Sequence, residues 1–551
     1  LTQGNLETGN GSSADAHGIA GTFGMPAGTG KWYWEVFIDN PNVGDNYPYV
    51  GAVVDTRVNT NGTYGSRHRT MQLNCGTGGV DSNTTGVGSI TTVTTGLSRI
   101  EDNNILGVAV DMENRKMWFS ENGVFPNSGN PATGANPTFA WTNDVDLLPH
   151  WLSYYTYGSG SVWNFGQDSS FVGNKTAQGN TDANGVGDFY YTPPSGYLAL
   201  CSANLPDPAI DPAQDDVATD YFNTLLFTGN GSSSHAVTGV GFSPDLVWLK
   251  NRSSTESHSF YDTARTATRR LISNTNAAET NQSNGLLSFD SDGFTLGSHT
   301  GVNRNGDSIV SWNWKAGGTG VSNTNGSITS TVSANTDAGF SIVKYVGNAT
   351  AGATVGHGLL SAPEMIILKN RDRASDYQVY HKDVTPDAPP THVVWLNATS
   401  GRQDQSRYND TTPTSSVFYI GPNTAENQSG EDFLAYCFHS VDGFSKVGAY
   451  IGNSSSDGSF VYTGFRPAWI MIKRIDSSNN WYIFNNKTIP YNSGGTEAFL
   501  RANTSDAETT TLKIDLLSNG FKPRDASPGF NTGDYIYLAF AEQPFKYANA
   551  R

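Results

Sequence analysis

Cysteine is almost missing from this chain of 551 residues: Cys75, Cys201 and Cys437 are odd in number and far apart. That count excludes a disulfide framework and a CxxC metal site, and each reads as a small buried side chain. Methionine is rare (6), and Leu, Lys and Glu are sparse beside 61 glycines and abundant Asn, Ser and Thr. Such a composition disfavours helices and favours strands joined by tight turns. Apolar residues make up only 36% of the chain, yet aromatics reach 12%. Large rings must therefore fill much of the core, which suits thin two-sheet sandwiches. Positive charge is also in deficit: Lys+Arg 33 against Asp+Glu 50 leave a formal charge of −17. With no Lys/Arg cluster as a local exception, this opposes binding to nucleic acid or anionic membranes. No run approaches the length of a membrane span. No secretory signal is visible, and with Leu1 as first residue a lost leader stays open.

Recognisable chemistry is missing too. The 10 histidines include no HxH or HExxH pattern, no GxSxG elbow occurs, and Gly28-Thr29-Gly30-Lys31 lacks the spacing of a phosphate loop. Glu35 and Asp39 are the best-placed strand carboxylates. Four residues along a strand separate them by about 13 Å, whereas glycosidase pairs need roughly 5–5.5 or 6.5–9.5 Å. Asp111 and Glu113 straddle a hairpin turn, where turn stabilisation is expected. The loop from Asp182 to Asp188 has the look of a calcium site but lacks the closing Glu, so an Asx-rich turn is favoured. The expectation is no enzyme, no cofactor and no metal. Sequons at Asn230, Asn251, Asn348 and Asn453 are ascribed to composition rather than glycosylation.

What is present is order along the chain. Residues 30–39 read GKWYWEVFID, a strand with Trp32, Trp34, Val36 and Ile38 on one strongly apolar face and Tyr33, Glu35, Phe37 and Asp39 on the other. Residues 104–125 read NILGVAVDMENRKMWFSENGVF, two strands with a polar turn and a second turn at Glu121-Asn122-Gly123. Leu148-Pro149-His150-Trp151 and Val162-Trp163-Asn164-Phe165-Gly166 supply late strands.

Beyond residue 220 the chain repeats itself. Gly229-Asn230, Gly347-Asn348 and Gly452-Asn453 each precede a run behind a proline: PDLVWLKNR at 244–252, PEMIILKNR at 363–371 and PAWIMIKR at 467–474. An aromatic strand follows (Phe260-Tyr261, Tyr377 to Tyr380, Trp481 to Phe484), then a last strand opening on an acid: Asp307, Asp432, Asp534. The period is roughly a hundred residues, a domain rather than a solenoid repeat. The continuous apolar runs suit strands buried on both faces, with the last strand beside them. The expected boundaries are a first module at 1–204, a Pro/Asp-rich linker at 205–219, copies at 220–317, 336–444 and 445–551, and a second linker at 318–335.

The first module resembles the SPRY family. It carries in order the early G-x-x-Y-W-E-V strand, the central G-V-A-x-D…W-F-x-x-N-G segment, the late L-P strand and the terminal V-x-N-F-G. The resemblance implies a concanavalin-like antiparallel sandwich that binds a partner through loops at one end and has no catalytic chemistry. The fold class expected is all-β: that sandwich followed by three tandem jelly-roll-like modules. The whole arrangement resembles tail or fibre proteins of marine bacteriophages. That implies a virion location, other virion proteins as partners, a host-surface glycan or protein as ligand, and the trimeric state common in fibres, although no heptad run enforces one. The alternatives are a structural decoration protein of a capsid or tail, and a capsule-degrading glycosidase. Candidate ligand contacts are the loop aromatics Tyr47, Tyr64, Tyr154, Tyr155 and Tyr157. Asp307, Asp432 and Asp534 are expected to be structural, as strand caps or as buried partners of Lys250, Lys369 and Lys473.

Overall fold

The computed structural model describes residues 7–8, 17–39, 48–54, 70–82, 89–92, 96–153, 160–385, 390–492 and 495–548. Its contacts divide the chain into two compact units, residues 1–207 with 459–462, and residues 208–458 with 463–551. The three repeats thus share one unit, where the sequence had suggested separate modules in series.

The first unit is an all-β sandwich. One sheet runs in the order Glu7–Thr8, Gly160–Asn164, Lys31–Asp39, Ile105–Asp111, Lys116–Glu121, Phe139–Trp141, Ile90–Thr92. The other runs His17–Ala20, Leu147–Ser153, Tyr49–Val54, Thr70–Asn74, Val80–Ser82. Pairing within both is antiparallel, except that Leu198–Ala199 joins Lys31–Asp39 in parallel. The strand Lys31–Asp39 is buried on both faces, not one. Its second face is covered by the segment that follows the last sheet strand: Phe189 packs on Tyr33 at 5.4 Å, and Phe171 on Phe37 at 5.7 Å. Alternation reports which residues share a face; it does not report that a later segment covers the second one.

In the second unit one strand order occurs three times. It is Phe222–Thr228, Ser308–Trp314, Leu246–Asn251, Ser259–Asp262; then Phe340–Val346, Asp432–Phe438, Met365–Asn370, Gln378–His381; then Ser445–Asn453, Thr532–Pro544, Phe465–Arg474, Trp481–Asn485. In the first two repeats a small second sheet pairs the second strand with the penultimate one, His235–Thr238 with Gly293–Leu296 and Ala353–Gly356 with Val417–Ile420. First strand beside last and second beside penultimate is jelly-roll nesting. The expected pairing of the apolar run with the last strand is present in all three repeats. The proline precedes the run's strand in repeats 1 and 2. In repeat 3 the strand begins earlier, and Pro467 sits where the register shifts, a bulge that tolerates a missing N–H.

Residues 318–335 are not a linker: Val321–Asn323 and Ser330–Asn335 extend the sheet of repeat 2 beyond Phe340–Val346. Their Ser/Thr/Asn-rich composition imitates a linker, but Val332 is buried in the repeat's core. The segment 205–219 is built from the short turns Pro212–Gln214 and Ala218–Asp220, the first capped by Asp211.

The repeated Gly-Asn pairs have one steric cause. A Cβ on Gly229, Gly347 or Gly452 would lie 2.2–2.3 Å from the backbone that follows, or belongs to, an asparagine near the repeat's end. That asparagine accepts the amide of the pair's own Asn: Asn303 from Asn230 at 2.9 Å, Asn427 from Asn348 at 2.8 Å, Asn531 from Asn453 at 3.2 Å. Each paired Asn then accepts from the amide two residues on, an Asx turn. The intervening residue has positive φ (Gly231 68°, Ala349 58°, Ser454 58°). The sequon pattern at these three positions is turn chemistry.

Candidate functional site

The main sheet of each repeat presents two apolar faces. In repeat 1, Val247, Leu249 and Ile309 enter the repeat's own core with Leu286 and Phe294. Trp248, Trp312 and Trp314 alternate with them and meet Trp469 of repeat 3 at 6.3, 6.2 and 5.7 Å. Phe222 stacks on Phe540 at 4.8 Å. Repeat 2 joins through Phe438 on Phe540 (6.1 Å), Phe340 beside Trp314 (6.5 Å) and Tyr436 on Phe260 (5.6 Å). The apolar runs are therefore buried on both faces because three sheets share an aromatic centre.

Around that centre the repeats close a ring, each gripping a loop of another at equivalent positions. Lys250 donates to the Ser505 carbonyl at 3.2 Å, Lys369 to that of Asn276 at 3.2 Å, and Lys473 to that of Thr399 at 2.9 Å. Two residues on, Arg252 makes paired 2.7 Å bonds to Glu508, and Arg371 paired 2.9 Å bonds to Glu279. Ile475 takes that place in repeat 3, and its carbonyl accepts from the Arg402 amide at 2.8 Å. The same main-chain bond joins Glu508 to Arg252 at 2.9 Å and Glu279 to Arg371 at 2.8 Å. Repeat 1 thus holds repeat 3, repeat 2 holds repeat 1, and repeat 3 holds repeat 2.

The loops that are gripped share a feature the sequence reading passed over. Asn274, Asn397 and Asn503 each accept the amide that opens an aromatic strand, from His258, Tyr377 and Trp481 at 2.9 Å. The signal was readable as an Asn two residues before the carbonyl that takes the lysine. It was hidden because Asn is common everywhere in this chain.

The three lysines are buried, and the oxygens that hold their ammonium groups are main-chain carbonyls, not carboxylates. Lys250 also bonds the Asn251 carbonyl, Lys369 that of Ser375, and Lys473 that of Asn479, each at 2.7 Å. Burial pushes Lys250 and Lys369 down to about 8 and Lys473 to about 7. The expected pairing of these lysines with the repeated acids is corrected. Asp307 instead accepts from Asn251 (2.7 Å) and Ser254 (2.8 Å), bonds that hold its carboxyl below the usual range. Asp432 reaches Arg371 at 3.2 Å and Asp534 reaches Arg402 at 3.8 Å. Nor are the three acids equivalent: in register Asp432 and Asp534 match Ser308, and Asp307 matches Glu431. Glu431 accepts from Asn370 at 2.6 Å as Asp307 does from Asn251.

The junction of repeats 1 and 2 holds a charge network built on the buried Arg265 and Asp262. Arg265 bonds Asp262 at 2.6 Å and Glu279 at 3.1 Å, and the Tyr436 hydroxyl donates to Asp262 at 2.8 Å. With Arg371 on Glu279 its two cations balance its two carboxylates, as a structural ion network requires.

The remaining sequence candidates divide plainly. Tyr47, Tyr64, Tyr154, Tyr155 and Tyr157 lie outside the described residues. Glu35 is fully buried, and its carboxylate accepts from the amides of Tyr190 (2.9 Å) and Tyr191 (2.7 Å), from Asn164 and from Tyr33. Burial raises its proton affinity against those four bonds; it fastens the covering segment to the sheet. Asp111 closes its hairpin through Asn114 at 2.9 Å and Lys31 at 3.2 Å. Asp182 accepts from the amides of Asn184, Val186 and Ala199 and from the Asn204 side chain, all within 2.9 Å. N–H donors point at both its oxygens, which suits an Asx turn and not a cation. Among the described residues no group of three or more His, Cys, Asp or Glu is placed to hold a metal ion.

No curated protein matches the chain significantly. Among solved structures it is similar to the SPRY domain of human HERC1, with 19% identity over 30% of this chain and 90% of that one and a TM-score of 0.23. A leech intramolecular trans-sialidase complexed with 2,7-anhydro-Neu5Ac aligns at 11% identity over 93% of this chain and 74% of that one, with a TM-score of 0.14. Residues 217–544, which span the whole ring of repeats, match the family described as Domain of unknown function (DUF7483), and the chain belongs to that family.

Proposed function

We propose that this protein is a non-enzymatic binding component of a virion, of the tail-fibre or adhesin type, that recognises a bacterial surface structure such as a glycan. The observation that carries this reading is the use made of the polar residues. Burial displaces the proton affinity of Lys250, Lys369, Lys473 and Glu35, and each is engaged by main-chain groups that join one segment to another. Residues committed in this way are fasteners rather than acids, bases or nucleophiles. A closed ring with an aromatic centre makes a rigid body, and a SPRY-like sandwich offers loops to a partner. The phage resemblance of the repeats supports the location. The ring also favours a second reading, a decoration protein buried against neighbours in a capsid or tail.

The test is saturable binding of the purified full chain to candidate host cells and to a glycan array. Binding that disappears when surface polysaccharide is stripped supports the adhesin. No binding to any cell or glycan, with the chain held tightly in particles, transfers the case to the decoration protein. Release of new reducing ends from host polysaccharide would overturn both.

A further inference from the structure

Both junctions of repeat 3 contain a buried histidine wired to be neutral. His258 of repeat 1 accepts the Trp248 indole N–H on Nδ1 at 2.8 Å, so its proton sits on Nε2, which donates to the Arg501 carbonyl of repeat 3 at 3.0 Å. His381 of repeat 2 accepts the Asp383 amide on Nδ1 at 3.1 Å and donates from Nε2 to the Tyr537 carbonyl of repeat 3 at 3.3 Å. A second proton would have to enter at Nδ1, where each ring already faces an N–H. The junction between repeats 1 and 2 is closed instead by Arg265, Arg371, Asp262 and Glu279.

We propose that repeat 3 is an acid-released member of the ring: protonation of His258 and His381 frees it from repeats 1 and 2 while the junction between those two stays shut. The groups facing each ring fit this. His258 lies near the Lys250 ammonium, which Glu256 and Asp506 face in turn, and Arg270 donates to its carbonyl. Burial and then Lys250 hold its proton affinity well below the ordinary histidine value. His381 faces Asp383 and Glu364, which favour a proton, and Lys382, which does not; burial wins and pushes it to about 4. Lys473, at about 7, takes up its proton between pH 7.5 and 6 and adds about fourfold, and Lys250, at about 8, adds less. At the other junction burial raises Glu279, but Arg371 and Arg265 outweigh that and hold it below the usual range. His357 is buried and neutral as well, but its bond to the Thr414 carbonyl stays inside repeat 2.

The sign follows. Both histidines bind a proton more weakly in the closed ring than in the opened one. The closed state therefore loses ground as pH falls from about 6.5, the free histidine value, towards the lowered values. At pH 5 the two together raise the opening constant of repeat 3 by about a thousandfold over pH 7.5.

Three equivalent main-chain amides report the three junctions: Glu508 and Arg402 for repeat 3, Glu279 for repeats 1 and 2. Amide hydrogen exchange of the full chain at pH 7.5 and 5, corrected for intrinsic rates, should show Glu508 and Arg402 losing protection about a thousandfold and Glu279 keeping it. The H258Q/H381Q chain, which cannot titrate there, should lose this pH response. Equal loss at all three amides overturns the proposal, as does loss at Glu279 first, or an unchanged response in the variant. If that variant fails to fold, the comparison within the unmodified chain still decides.

Discussion

Reversing the charges of Arg252 and Glu508 tests ring closure directly. The two residues stand 256 positions apart, in repeats 1 and 3, so their contact exists only if the ring closes. Both hydrogen bonds are 2.7 Å, and the side chains keep 19% and 16% of their exposure. At an effective dielectric near 20, a pair of unit charges about 4 Å apart interacts by about 4 kcal/mol. Partial desolvation takes back a share of that. The main-chain bond from Glu508 to the Arg252 carbonyl at 2.9 Å persists in every variant. The coupling that remains is about 1–3 kcal/mol, against about 0.2–1 for an exposed pair.

Glu508→Arg sets two guanidinium groups against each other and Arg252→Glu sets two carboxylates together. Each single variant should lose about 2–3 kcal/mol, and the double variant should regain most of it. Urea denaturation of the four full-length chains, followed by tryptophan fluorescence, closes the thermodynamic cycle. Indole emission reports the right place, because Trp248, Trp312, Trp314 and Trp469 line the shared centre. A coupling below about 0.3 kcal/mol, the limit for independent sites, would refute the closed ring, as would a double variant no more stable than the worse single one.

Other consequences are simpler to read. Trp469→Ala empties the centre where four aromatic residues of repeat 1 meet it; the loss expected by denaturation is about 3–5 kcal/mol. Gly347→Ala drives a methyl to within 2.3 Å of the Gln428 carbonyl and should cost about 1–3 kcal/mol, the range for overpacking, in the same assay. The buried lysines make stability rise with pH. Their folded values of about 7–8 lie below the unfolded value near 10.4, so the stability they permit is full above 10.4 and lost as pH falls to 8 and below. Unfolding free energies from urea denaturation should therefore climb from pH 7.5 to 9.5 by about 1 kcal/mol per lysine per pH unit, and a Lys250→Met, Lys369→Met, Lys473→Met chain should flatten the slope; a flat profile in the unmodified chain contradicts the burial.

Much of the architecture could be read from residues in order. GKWYWEVFID at 30–39 and the paired strands at 105–121 are where alternation placed them. The repeat was legible because proline, apolar run, lysine and last strand recur in fixed succession. What failed was anything that needed two distant segments to meet. Lys250 and Ser505 lie 255 residues apart, and no local pattern says that a strand's lysine will be capped by another repeat's loop carbonyl. The search for an acidic partner for each lysine followed from treating each repeat as alone; three repeats in one ring supply carbonyls instead. The off-by-one reading of Asp307 has the same origin. Ser308 occupies the register of Asp432 and Asp534, and an ungapped comparison slides to the nearest acid.

The ring explains why the repeats are alike where they are and unlike where they are not. Lysine and the capping Asn stand in all three copies, because every copy both grips and is gripped. The charged positions next to them diverge. Arg252 and Arg371 meet Glu508 and Glu279, but at the third junction Ile475 stands opposite Arg402, which turns to Asp534. Identical head-to-tail interfaces could close with any neighbour, including one from another chain, or could run on into an open filament. An arginine grip set against the Arg402 loop would place like charges together, so a misplaced repeat meets repulsion as well as lost pairing. The shared residues thus build one junction three times, and the divergent ones fix which copy goes where. Fixed order within a single chain is what allows a buried histidine to face repeat 3 at each of its two junctions.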